Sequence, residues 1–229
     1  MIRYAILLLI SSVVMAQHDS IPDFDAIDPK YREDQFYISM TYNIWQRRPD
    51  GVRQNKFSPG VSIGFLRDMP INERRTWAIA AGLGYAYQNF AHNVFIARPG
   101  NEAYYSTIPA DADYEKNKIS FHFAELPIEI RWRTSTPESH KFWRVYTGFK
   151  LSYLFADRYK FDGDGGSFII KSNDDLNRLI YGVYLSTGYN TWNFHIYYSL
   201  NPMFKSAEFE NGTKLEMQTL NVGLMFYIL

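Results

Sequence analysis

Residues 60–87 read GVSIGFLRDMPINERRTWAIAAGLGYAY, and the reading of this stretch decides the fold. Val61, Ile63 and Phe65 alternate with Gly60, Ser62 and Gly64. After Arg67-Asp68-Met69-Pro70-Ile71-Asn72 the alternation resumes, with Trp77, Ile79, Ala81, Leu83 and Tyr85 set against Ala78, Ala80, Gly82, Gly84 and Ala86. Successive side chains of a strand point to opposite faces, so this is a hairpin with one greasy face and one small or polar face. It suits hydrophobic surroundings outside and a crowded interior within, with a turn expected over residues 67–76. Both a membrane barrel and a soluble sandwich contain such hairpins.

The flanking sequence repeats the pattern. Residues 35–46 alternate Phe36, Ile38, Met40, Tyr42 and Ile44 with Tyr37, Ser39, Thr41 and Asn43. A fourth strand is expected over about 118–133. Its apolar set changes phase, from Ile119, Phe121 and Phe123 to Leu126, Ile128, Ile130 and Trp132, which predicts a β-bulge near Ala124-Glu125, close to Pro127. The fifth strand puts Val145, Phe149, Leu151, Tyr153 and Phe155 outward, with Lys150 and Ser152 inward. Residues 178–189 make a sixth, and Asn190-Thr191 a tight turn. Trp192, Phe194, Ile196, Tyr198 and Leu200 mark a seventh, and Leu220, Val222, Leu224, Phe226 and Ile228 the last. About eight strands joined alternately by long and short connections form the pattern of an outer-membrane barrel. The expected fold is all-β: a closed antiparallel transmembrane β-barrel of about eight strands, with a narrow lumen filled by side chains.

The N-terminus speaks to compartment. Residues 1–16 combine a basic start, an apolar run and a Val14-Met15-Ala16 end, which is the make-up of a secretory signal peptide cleaved between Ala16 and Gln17. Residues 17–34 are acidic and aperiodic, a flexible periplasmic leader, and 35–229 form the barrel. The turns at 67–76, 134–142 and 190–191 then face the periplasm, and the longer loops at 89–117 and 157–176 face outward. Lys and Arg total 24 against 24 Asp and Glu, so net charge gives no sign of a nucleic-acid partner. Aromatic residues are 17% of the chain, the supply that membrane interfaces use. Cysteine is absent, which excludes disulfides and thiolate metal sites.

The stretch GFLRDMPINERRTWAIAAGLGYAY resembles the PorT-like outer-membrane β-barrel family of Bacteroidetes, in which an Asp-x-Pro turn joins a Gly-Phe strand to a Gly-x-Gly-Tyr strand. AELPIEIRWR, residues 124–133, looks like that family's Leu/Ile-Pro strand, and the terminal GLMFYIL suits its last strand. The resemblance spans about residues 35–229 and implies an outer-membrane location. It also implies association with type IX protein secretion or gliding, and no catalytic residues.

Chemistry in the residues themselves is sparse. Glu125, Glu129, Arg131 and Arg133 are expected to face inward with Lys150, as a buried ion-pair network or, alternatively, a proton or substrate site. Ser120 and His122 share a face without a carboxylate to complete a triad, and His195 reads as a lumen hydrogen-bonder. Asp162 and Asp164 begin a calcium-like loop, but Asn173 stands where a bidentate Glu belongs. No cofactor is expected. Arg67, Arg74, Arg75, Arg131, Arg133, Lys141 and Arg144 gather toward the periplasmic end, a basic rim that would meet lipid phosphates or an acidic partner, or simply anchor the interface. Arg47, Arg48, Arg53 and Lys56 in the first loop could touch lipopolysaccharide phosphates instead.

The function expected is that of a non-enzymatic structural or accessory subunit of a type IX secretion or gliding assembly, with outer-membrane lipids and a large translocon as partners. The alternatives are an adhesin or ligand-binding barrel working through its external loops, and a lipid-modifying enzyme using His122, His195 or loop carboxylates.

Overall fold

The computed structural model describes residues 34–54, 56–100, 102–135, 142–163 and 166–228. The expected signal peptide, its cleavage site at Ala16 and Gln17, and the leader as far as residue 33 lie outside the described residues, as do Lys141 and Asp164. The strands are β1 (Gln35–Gln46), β2 (Pro59–Pro70), β3 (Trp77–Ala91), β4 (Val94–Ala97), β5 (Tyr104–Thr107), β6 (Tyr114–Arg133), β7 (Trp143–Gly163), β8 (Gly166–Lys171), β9 (Leu179–Tyr189), β10 (Trp192–Ser199) and β11 (Gln218–Ile228). Eight of them, β1-β2-β3-β6-β7-β9-β10-β11, form a closed antiparallel ring. β11 returns to β1 in continuous register from Phe36↔Ile228 to Gln46↔Gln218, so the barrel has no free edge. The short β4–β5 hairpin lies within the connection from β3 to β6, and β8 folds back on the far end of β7.

The alternation read from the sequence sets the wall. Leu83, Trp192, Phe36 and Trp143 are among many large apolar side chains standing exposed on the outer face, an arrangement that lipid accepts and water does not. On β7 the outward positions run Trp143, Val145, Thr147, Phe149, Leu151, Tyr153 and Phe155 with no charge among them. At about 3.3 Å per residue and a tilt of about 40°, that run climbs roughly 30 Å, close to a hydrocarbon core. Aromatic rings collect at both ends. Trp77, Trp143, Tyr189 and Trp192 stand near the short turns, and Tyr42, Phe57, Tyr85 and Phe155 near the long loops. Amphipathic rings favour those two interfaces.

Glycine on the inner face of the opening hairpin has a definite role. Gly64 and Gly84 are directly paired across β2 and β3, and the Tyr37 ring from β1 occupies the space that a Cβ at either would need. Replacing Gly84 with valine is expected to displace Tyr37 and destabilise the barrel by about 1–3 kcal/mol. The urea midpoint for unfolding in detergent, followed by heat-modifiable gel migration, would measure it. An unchanged midpoint would contradict this packing.

Two expectations about the strands need correction. The turn over 67–76 is shorter, because β2 stays paired with β3 through Pro70↔Ala78 and leaves only residues 71–76 to turn. Asp68 is therefore a strand residue facing inward and fully buried, not a turn residue. The bulge expected near Ala124-Glu125 is also absent. β6 keeps one register with β3 from Trp77↔Trp132 to Ala91↔Lys118, and Ile119, Phe121, Phe123, Glu125, Glu129, Arg131 and Arg133 all point inward. The shift lies in the partner strand, where His122 faces Ala156 and Phe123 faces Leu154, leaving Phe155 as the extra residue. The apolar residues changed phase because the interior itself changes from apolar to charged along β6.

Candidate functional site

The interior is divided by height. Toward the loops it is a hydrophobic core: Trp45, Phe90, Ile119, Phe121, Phe123, Leu154 and Tyr159 from the strands meet Val52, Val94, Ile96, Tyr105, Leu176, Met203, Phe204, Leu215 and Met217 from the connections. The loops are thus folded over the barrel mouth as a cap. Trp45 is at its centre, stacked 5.0 Å from Phe90 and 4.7 Å from His92 by ring centroids. Polar groups hold the loops to one another. Asn93 accepts from the Arg53 N–H at 2.7 Å and donates to the Gly51 carbonyl at 2.8 Å, and Asn117 donates to the carbonyls of His92 and Val94.

His92 belongs to this cap and lies outside the spanning strands. Burial lowers its pKa from 6.5 to about 3, so the folded cap holds it neutral while the unfolded chain protonates below 6.5. The stability it contributes is complete above the unfolded value. It falls through the window down to about 3 by up to about 1.4 kcal/mol per pH unit. We expect protease cleavage of the loops to rise as pH is lowered from about 7 to 5. His92→Gln should flatten that dependence, and an equally steep profile in the variant would refute the assignment.

Toward the turns the lumen is polar and charged. Asp68 is the hub: it accepts from Arg133 through both oxygens at 2.8 Å and from Arg131 at 3.0 Å. Arg131 also reaches Glu129 at 2.7 Å, and the Tyr184 hydroxyl donates to Glu129 at 3.0 Å. One level nearer the loops, Lys150 donates to both oxygens of Glu125 at 3.1 and 3.2 Å. Charges withdrawn from water persist only when paired in this way. Arg144 is the exception. Among the described residues it has no carboxylate partner, and its guanidinium lies over the Phe142, Tyr146 and Tyr227 rings at 4.5–5.9 Å.

The inward network expected from Glu125, Glu129, Arg131, Arg133 and Lys150 is thus present, with Asp68 as a member that its reading as a turn residue concealed. The basic rim, by contrast, loses three of its members. Arg131, Arg133 and Arg144 are at most 3% exposed, because their strand parity turns them into the lumen. Arg67 and Arg74 are exposed and Arg75 half-buried, so they remain at the surface of that end. Arg67 is bridged to Asp34 at 2.8 Å, and the same carboxylate accepts from the Asp68 N–H at 2.8 Å.

The histidine–hydroxyl pair described in the lumen has little free space around it. Ser186 and His195 are hydrogen-bonded at 2.7 Å, yet both are buried, and the neighbouring cavity beside Glu125 and Lys150 has a volume of about 10 Å³. That is room for one water, not for a substrate. His122 and Ser120 do share a face, but it is the outer wall, where His122 is hydrogen-bonded to Tyr85 at 2.7 Å and Ser120 to Asn89 at 3.1 Å and Tyr87 at 3.2 Å. His122 and His195 therefore lie on opposite sides of the wall and share no site. Asp162 stands 3.7 Å from Lys116, and among the described residues no group of three His, Cys, Asp or Glu side chains is placed to hold a metal.

Eight antiparallel strands in a closed ring, an apolar outer belt between aromatic girdles and a polar interior define a multi-pass β-barrel of the outer membrane. The family described as "Outer membrane protein beta-barrel domain" matches residues 15–205, and the chain belongs to it. No curated protein matches the chain. A solved structure described as "Asymmetric conductivity of engineered proteins" is similar at 8% identity and a TM-score of 0.22, over 86% of this chain and 100% of that one.

Proposed function

We propose that this barrel is a non-catalytic accessory subunit of a protein secretion assembly, of the type IX or gliding kind that its resemblance to the PorT-like family implies. The observation that carries the reading is the filled lumen. Among the described residues a hydrophobic cap above and a paired-charge network below fill the lumen, and the cavity beside Glu125 and Lys150 holds about 10 Å³. What such a barrel can do is done by its surfaces. The exposed Arg74, with Arg67 bridged to Asp34, stands outside the lumen at the turn end, where an acidic partner or lipid phosphates would meet it. Extraction of native membranes in mild detergent and pull-down of the tagged chain should recover a large membrane partner. Recovery of the barrel alone at near-stoichiometric yield would count decisively against the proposal.

The cap supports a second reading, recognition of an external ligand. Its loops carry a cleft of about 520 Å³ lined by Asn177, Phe204, Ser206, Glu208, Lys214 and Glu216, within the range of small-molecule sites. Removing residues 203–216 while keeping the barrel would abolish ligand or surface binding on this reading and leave partner recovery intact on the first. The lipid-modifying alternative would have to work through His195, buried beside a cavity of about 10 Å³, through His122, hydrogen-bonded to Tyr85 on the outer wall, or through loop carboxylates.

A further inference from the structure

Above the loop-side aromatic girdle the outer wall changes abruptly from apolar to basic. After the extra residue at Phe155, the outward positions of β7 become Arg158 and Lys160, while Tyr159 and Phe161 turn into the core. Lys118 on β6 is the direct cross-strand partner of Lys160, and Lys171 on β8 the direct partner of Arg158. Two adjacent rungs of the sheet thus each set one cation opposite another. Directly opposed residues lie about 5 Å apart and successive outward positions about 7 Å, so four positive charges share one small patch. Like charges in that arrangement repel, and among the described residues none of the four forms an ion pair. The nearby carboxylates are engaged elsewhere: Asp162 and Glu115 lie against Lys116, and Asp157 faces inward to Arg178.

The height of the patch says what would compensate it. Tyr153 and Phe155 mark the top of the apolar belt on β7, and Arg158 follows within three residues, roughly 10 Å along the strand. That is the depth of lipid headgroups. We propose that Lys118, Arg158, Lys160 and Lys171 form a binding site for the phosphates of an anionic lipid headgroup in the leaflet at the loop end. Ammonium and guanidinium groups aimed outward at that level would draw such phosphates, and a headgroup with two phosphates would span the two rungs. The bulge is what makes the site: it reverses the parity of β7, so that the strand turns apolar side chains into the cap and basic ones onto the wall.

The test uses the full barrel in a maltoside detergent and native mass spectrometry, with bisphosphorylated lipid A and zwitterionic phosphatidylethanolamine as probes. The barrel should retain lipid A with about a tenfold preference over phosphatidylethanolamine. The variant Lys118→Gln/Arg158→Gln/Lys160→Gln/Lys171→Gln should lose that preference. Its thermal unfolding in detergent alone should stay unchanged or rise, since the opposed charges are gone. The control Arg47→Gln/Arg48→Gln/Arg53→Gln removes three cations from the same end and should retain the lipid. Undiminished lipid A retention by the quadruple variant, or equal loss in the control, would overturn the proposal. Displacement of the lipid by inorganic phosphate at about 10 mM would instead identify a free-phosphate site and overturn the lipid assignment.

Discussion

Replacing Asp68 with asparagine is expected to cost the barrel about 3–5 kcal/mol, because it removes a carboxylate shared by two buried guanidiniums. Arg131 would keep Glu129, whereas Arg133 would lose the two charged hydrogen bonds it makes to Asp68. The urea midpoint for unfolding from lipid vesicles, followed by heat-modifiable gel migration, measures the loss. Much of the cost is the loss of compensation for buried positive charge rather than the worth of the pairs themselves. The triple variant Asp68→Leu/Arg131→Met/Arg133→Met, which fills similar volume without charge, should therefore recover most of the stability. An unaltered midpoint in Asp68→Asn would mean that water reaches Arg131 and Arg133, and that the turn half of the lumen is open.

The second large effect belongs to the cap. Trp45→Ala is expected to cost about 3–5 kcal/mol, the usual consequence of removing a buried indole, and to do so locally. Trp45 reaches from β1 to Phe90, His92 and Phe204, so its loss uncouples the loop cover from the strands beneath. Added protease should cut within loops 47–58, 92–113 and 200–217, while the barrel still migrates as a folded species. Complete loss of the folded species would show that cap and barrel unfold as one unit. Resistance equal to that of the unchanged chain would mean that the loops are held by something other than this core.

Much of the wall was legible because lipid imposes a strict rule on it. Along β1, β3, β10 and β11 the outward set is apolar at every second residue, and strand boundaries follow from where that rule begins and ends. The lumen obeys no such rule. Ile119, Phe121 and Phe123 look like lipid-facing residues, but they line an apolar core at the loop end, so a change of environment passed for a change of register. The true irregularity, at Phe155, falls where the outward set on β7 turns from aromatic to basic, a signal present in the sequence but masked by the loop expected there.

Asp68 was hidden by its neighbours, since Asp followed by Pro two residues later reads as a turn. Its parity with Leu66 and Ser62 places it inside once β2 is carried to Pro70. The misplaced rim has a similar origin. Arg131, Arg133 and Arg144 are close in sequence to exposed turns, but Arg144 shares its parity with the inward Lys150 and Ser152. Nearness in sequence to that end does not fix the face on which each charge stands. The basic patch of Lys118, Arg158, Lys160 and Lys171 escaped for the converse reason, because its members come from three strands and meet only when those strands pair.

The described side chains fill the barrel from the cap core to the Asp68 network. Single-molecule recording in planar lipid bilayers addresses that claim most directly. The folded chain should insert without current steps, because the cap core and the Asp68 network leave no continuous aqueous path. Reproducible ohmic steps from heat-modifiable, correctly folded protein would contradict the closed lumen, and with it the view that this barrel works through its surfaces.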